Sequence, residues 1–190
     1  MAVDDLNLRL LREFTIKKSE SVKCDADDRI LEIGPPRLSD ALNSRVYKDH
    51  PNWFFSLEEM CKDSGAEYAS LDLDPGVNPT YLGSLENPNL DIPANYFTSV
   101  VCFSILEHCQ DLVAAVRNIS SSLAPGAKAH FLTPWDLRFH GPRPDCWRIS
   151  DDGYRWLLRE NFEIEEIEYL TQADRELSPI AIYVRAKKKI

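Results

Sequence analysis

Glu32 and Gly34 close one short apolar run, Ile30-Leu-Glu-Ile-Gly34, and Asp72 and Asp74 close another, Leu71-Asp-Leu-Asp74. A carboxylate at the tip of a buried strand accepts hydrogen bonds from paired hydroxyls or from an ammonium group. A glycine beside it lets the backbone approach a ligand with no Cβ in the way. In open α/β sheets, ligands bind at such strand tips, where the strand order reverses. The two runs therefore predict a nucleoside-type cofactor lying across neighbouring strands. Further along, His108 follows a run rich in Phe and Val, and His140 lies in a proline-rich stretch. A histidine near neutral pKa accepts a hydroxyl proton, so both are candidate general bases. Trp135, Asp145, Trp147 and Arg148 offer aromatic faces and a charged pair suited to a sugar-like acceptor. Each feature also has a plainer reading: polar strand ends, aromatic packing anchors and a surface ion pair of little energetic value.

These residues need elements to hold them. Leu6 to Ile16 has helical spacing, and residues 1–27 read as a first helix and lead-in. Strands are expected at Arg29–Ile33, Glu67–Leu73, Tyr81–Leu85, Tyr96–Ile105 and Ala127–Thr133, with a closing pair at Phe162–Leu170 and Ile180–Ala186 that can run antiparallel. Pro35-Pro36 suits a first helical turn, and Leu38–Val46 is a short helix candidate. Asp49 to Phe55 is aromatic and irregular. Ser56 and Glu59 have the spacing of a capping box, and Gly65 suits the stop of that helix. Asp111–Leu123, ending at Pro125-Gly126, and Asp151–Glu160 complete the helices. Strands alternating with helices imply a mostly parallel sheet covered on both faces. No repeat, low-complexity tract or linker interrupts the chain, so residues 1–190 read as one domain.

Composition narrows the function classes. The formal charge of −9 argues against a large nucleic-acid surface, which needs a basic face. Nothing approaches the 18 or so consecutive apolar residues of a membrane span, and the acidic start is unlike a signal peptide. Five scattered cysteines without a C-x-x-C pair read as reduced thiols, hence a cytoplasmic protein. The spacing of His and Cys predicts no metal site.

The runs also carry a resemblance. Ile30-Leu-Glu-Ile-Gly34, Leu71-Asp-Leu-Asp74, the stretch from Asp91 to Leu106-Glu-His108, and Leu123-Ala-Pro-Gly126 occur in the order found in class I S-adenosylmethionine-dependent methyltransferases. The resemblance spans about Asp28 to Phe162. Thr133-Pro-Trp135 and His140 to Ser150 resemble a loop of small, type-11-like methyltransferases encoded near glycan-assembly genes. This resemblance implies a Rossmann-like three-layer sandwich with a seven-stranded, mostly parallel sheet and an antiparallel last strand. It implies S-adenosylmethionine as cofactor and a glycan or other small hydroxylated acceptor, methylated on oxygen. Glu32 would reach the methionine ammonium. Gly34 and Pro35 would form the loop beneath it, and the Ser104 carbonyl would meet the same end. Asp72, with Asp74 as the alternative, would hold the ribose hydroxyls; Leu73 and Leu85 would flank the adenine, with Ser84 where the family usually has an adenine-side acid.

The chain departs from that pattern at Pro36 and Leu38, where further glycines are usual, at Ser84 in place of an acid, and at Thr98 in place of an aspartate. Two rivals follow. A nicotinamide-dependent oxidoreductase shares the sheet but needs G-x-G-x-x-G to seat a pyrophosphate, and Gly34 is the only glycine before Gly65. A decayed methyltransferase fold, kept as a binding module or a piece of a larger protein, accounts for the weakened glycine loop but not for the retention of Glu32, Asp72 and Leu106-Glu-His108.

Overall fold

A computed structural model describes residues 3–36, 56–173, 175 and 177–190. The expected helix at Leu38–Val46 and the aromatic stretch Asp49 to Phe55 lie outside the described residues. The elements are α1 (Val3–Glu20), β1 (Arg29–Ile33), α2 (Leu57–Ser64), β2 (Glu67–Asp72), β3 (Tyr81–Leu82), β4 (Phe97–Phe103), α3 (Leu112–Ser122), β5 (Leu123–Pro134), α4 (Asp151–Leu158), β6 (Phe162–Leu170) and β7 (Ala181–Lys188). Short 3-10 turns occupy Pro75–Val77 and Leu106–His108.

The seven strands form one sheet in the order β3-β2-β1-β4-β5-β7-β6. Pairing is parallel from β3 through β5. β7 runs antiparallel to both β5 and β6. The order reverses between β1 and β4, so their C-terminal tips open a crevice of the kind that holds ligands in this architecture.

Strand side chains alternate between two cores. Leu31, Ile33, Val100, Cys102, Phe131 and Val184 face α3 and α4 with Val116, Ile119, Tyr154 and Leu158. Ile30 and Val101 face α2 through Leu57 and Cys61, while Leu132 and Tyr183 pack on α1 through Leu11 and Phe14. Helices thus cover both faces, which makes the three layers. No helix among the described residues is long and apolar enough to cross a membrane.

The helix starts are set by side-chain caps. Ser56 Oγ accepts from the Glu59 amide, Asp111 Oδ1 from Ala114, and Ser150 Oγ from Gly153. Gly65, in the left-handed region at φ 79°, ends α2. Three elements differ from those expected by more than two residues at an end. α1 runs a turn further, to Glu20, where Lys17 and Lys18 sit favourably at the negative end of the helix dipole. β3 is only two residues long. β5 begins at Leu123 rather than Ala127: Leu123 pairs with Phe97, a register shift between Phe97 and Ser99 absorbs the extra residues, and Gly126 takes φ 78°. Pro125-Gly126 therefore marks an irregularity inside the strand, not a break before it.

Candidate active site

The C-terminal tips of β1, β2 and β4 lie side by side, with Ile33 in register with Leu71 on one side and Cys102 on the other. Glu32, Gly34, Asp72 and Ser104 therefore come together at one end of the sheet. Glu32 is partly buried, and the Tyr68 hydroxyl donates to its Oε2 at 2.6 Å. Burial pushes its carboxyl up to about 7; the Tyr68 hydrogen bond opposes this and nearby Glu58 adds to it. A carboxyl in that state is poised to ionise against an incoming ammonium. Tyr68 is a partner that the sequence reading did not single out.

Gly34 turns the chain away from β1 at φ 67°, and its amide donates to the Leu71 carbonyl at 2.9 Å. A Cβ at this position would lie 2.0 Å from Ile105 Cδ1. The bare backbone is thus required both by conformation and by the close pass of the β4 loop. Ser104 also has a positive φ, 55°, and its amide is held by the Leu132 carbonyl at 2.7 Å. Such a conformation is uncommon outside glycine and recurs at ligand sites. Asp72 Oδ1 accepts from the Asp74 amide at 2.8 Å, which fixes the carboxylate at the strand tip. Leu73 beside it is 72% exposed. The groups at these strand tips are of the kinds that the amino acid end, ribose and base of S-adenosylmethionine would need: a partly buried acid, a glycine turn without side chain, a fixed carboxylate and an exposed apolar side chain. Pro35 extends the turn. Ser84 Oγ accepts from the Glu86 amide. Leu85 is buried in the main core, with its carbonyl bound by Asn118. Of the two leucines expected beside the adenine, Leu73 alone presents an exposed apolar side chain.

Beyond the β4 tip, the 3-10 turn delivers Glu107 and His108. Glu107 is fully buried, and neither of its carboxylate oxygens has a hydrogen-bond partner among the described residues. The His108 and His140 rings meet edge to face, with centroids 5.0 Å apart. Their Nε2 atoms lie 3.9 Å and 3.7 Å from Glu107 Oε1. The carboxylate raises the His140 pKa above its ordinary value, with burial opposing. Spacing along the chain does not reveal this cluster, because His140 arrives from a separate loop.

That loop is pinned at several points. The Cys146 and Trp147 amides donate to the Glu107 carbonyl, and Trp147 Nε1 donates to the Cys109 carbonyl at 2.7 Å. Arg148 engages both oxygens of Asp145, at 2.5 and 3.0 Å, and also the Leu137 carbonyl. The guanidinium holds Asp145 well below the ordinary carboxylate range. The Asp145 side chain is fully buried and its Oδ2 also accepts from the His140 amide. Asp145 and Arg148 therefore spend their polar groups on positioning His140. Trp147 keeps an exposed face, while Trp135 packs against the main core.

Residues 57–131, from α2 into β5, match the family model of a methyltransferase domain. No curated protein matches the chain. Among solved structures, it resembles an S-adenosylmethionine-dependent methyltransferase from Mesorhizobium loti at 16% identity, covering 93% of this chain and 97% of that one with a TM-score of 0.62. It also resembles the N-methyltransferase NodS from Bradyrhizobium japonicum WM9 at 14% identity, with full coverage of both chains and a TM-score of 0.63. The [4+2]-cyclase SpnF shares the fold at 15% identity, 94% and 81% coverage, and a TM-score of 0.64. The family match thus covers the middle of the chain, and the likeness to these solved structures is one of fold.

Proposed function

We propose that this chain transfers a methyl group from S-adenosylmethionine to an oxygen of a small hydroxylated acceptor, with sugars and glycans the first class to test. The cofactor supplies an electrophilic methyl group on a sulfonium. Glu32 would pair with the ammonium, Gly34, Pro35 and the Ser104 carbonyl would meet the amino acid end, and Asp72 would accept from the ribose hydroxyls. Leu73, Ser84 and Leu85 would lie on the side of the base. The reading keeps the protein in the cytoplasm, where its five free cysteines stay reduced.

The observation that carries the choice of oxygen is the pair of imidazoles, His108 just beyond the β4 tip and His140 on the loop after β5, whose Nε2 atoms lie 3.9 and 3.7 Å from buried Glu107. An acceptor hydroxyl is a poor nucleophile until its proton is drawn off. This cluster is suited to that task, and the exposed part of Trp147 is suited to stack on a sugar ring. The fold alone does not fix the acceptor, since a cyclase and an N-methyltransferase share it.

The test is methyl transfer from labelled S-adenosylmethionine to a panel of hydroxylated acceptors, sugars first. His108→Ala is expected to lower turnover by about a hundredfold or more while leaving S-adenosylhomocysteine affinity nearly intact. Equal turnover in the variant would remove the cluster from the chemistry. Transfer to amines alone would overturn the choice of oxygen.

A further inference from the structure

We infer that Glu107, His108 and His140 form a binding site for a divalent transition-metal cation of the zinc type. One ligand atom from each of these residues lies within 4.8 Å of the other two. Glu107 contributes a carboxylate with 0% exposure and no hydrogen-bond partner among the described residues. A buried carboxylate left without partners is costly, so its environment calls for a positive charge.

The two imidazoles do not supply that charge in their neutral form. His108 Nδ1 lies 2.8 Å from the Pro144 carbonyl. A carbonyl only accepts, so Nδ1 carries a proton, and in the neutral ring Nε2 then presents a lone pair. His140 Nδ1 is set the same way, against the Arg138 carbonyl at 3.3 Å and Asp145 Oδ2 at 3.5 Å. Both Nε2 atoms lie near the Glu107 carboxylate, 3.9 and 3.7 Å from its Oε1. Those separations are too long for hydrogen bonds. They suit ligand atoms sharing one cation, since bonds of about 2.0–2.1 Å to histidine and carboxylate set such atoms roughly 3–4 Å apart.

The surrounding contacts match those of metal-ligating histidines, whose second nitrogen donates to a carbonyl or carboxylate that fixes tautomer and ring orientation. The Arg138 carbonyl plays that part for His140, while Asp145, itself clamped by Arg148, accepts from the His140 backbone amide. Two imidazoles and one carboxylate favour zinc, iron, cobalt or nickel over magnesium or calcium, which take oxygen ligands. Three protein ligands on one side leave open positions for water or an acceptor hydroxyl. This deepens the proposed function at the same site: a hydroxyl bound to the cation loses its proton more readily. The binding claim itself does not depend on methyl transfer.

The experiment titrates Zn2+, and separately Co2+, into the tag-free, chelator-treated full chain, by calorimetry and by visible absorption. The expected result is one equivalent bound, cobalt absorption bands, and no uptake of Mg2+ at the same concentration. His140→Ala and Glu107→Gln should each weaken Zn2+ binding by at least tenfold. Cys146→Ser, which removes an exposed thiol on the same loop, should bind as the parent does. No uptake by the parent chain, or equal affinity in both ligand variants, would overturn the site. Loss on Cys146→Ser would assign the cation to the thiol instead. S-adenosylhomocysteine binding, measured in the same samples with and without Zn2+, reports on the cofactor crevice independently, so either claim can fail alone.

Discussion

The proposed pairing of Glu32 with the cofactor ammonium makes its ionisation the most direct link between the fold and cofactor binding. Its carboxyl titrates near 7 in the free protein because burial outweighs the Tyr68 hydrogen bond. Binding an ammonium favours the ionised form. Affinity for S-adenosylhomocysteine should therefore rise with pH through that value, by roughly tenfold between pH 6 and pH 8. The sign is opposite for the free fold: a folded pKa raised from 4.5 to about 7 costs stability as pH increases through that window. Calorimetry at both pH values on the parent and on Glu32→Gln checks this. The variant should bind weakly and without pH dependence; a parent affinity that is flat with pH would contradict the assignment of Glu32 to the ammonium. Glu32, Gly34 and Asp72 are legible in sequence because each closes an apolar run, and strand periodicity then fixes where its backbone lies. The environment of Glu107 is not legible, since its lack of partners and its two facing imidazoles exist only once the 140s loop folds over the β4 tip.

At the scale of elements, the site depends on how tightly the β1 and β4 loops pass each other. Gly34 meets that constraint with a left-handed backbone and no Cβ. Gly34→Ala should destabilise the chain by about 2 kcal/mol, from backbone strain together with displacement of Ile105. Adding Ile105→Ala relieves the contact but not the strain, so the double variant should recover only part of the loss once the cost of the truncation itself, measured in Ile105→Ala alone, is subtracted. Urea unfolding measures all of these. An unchanged midpoint in Gly34→Ala would mean that the loop moves freely, and the crevice would lose its rigid floor. The same scale explains where the sequence misleads. Pro125-Gly126 looks like a break, yet β5 passes through it, because pairing of Leu123 with Phe97 and the φ of 78° at Gly126 accommodate the turn residues within the strand. The α2 boundaries are readable because Ser56, Glu59 and Gly65 act locally; β5 is set by pairing with a distant strand, which no local pattern encodes.

For the whole molecule, the strand order brings the acid of β1, the acid of β2 and the histidine cluster beyond β4 to one end of the sheet. The alternation of strands and helices makes this architecture readable from sequence, whereas the acceptor depends on a loop whose shape comes from long-range contacts such as Trp147 to Cys109. The central claim is that this end of the sheet holds S-adenosylmethionine. The measurement that tests it most directly is calorimetric titration of S-adenosylhomocysteine into the parent chain and Asp72→Ala, with NADH and NADPH as controls. Micromolar binding of S-adenosylhomocysteine alone is predicted, weakened in the variant by about 2 kcal/mol, roughly thirtyfold. No binding at millimolar ligand, or equal affinity in Asp72→Ala, would contradict the account.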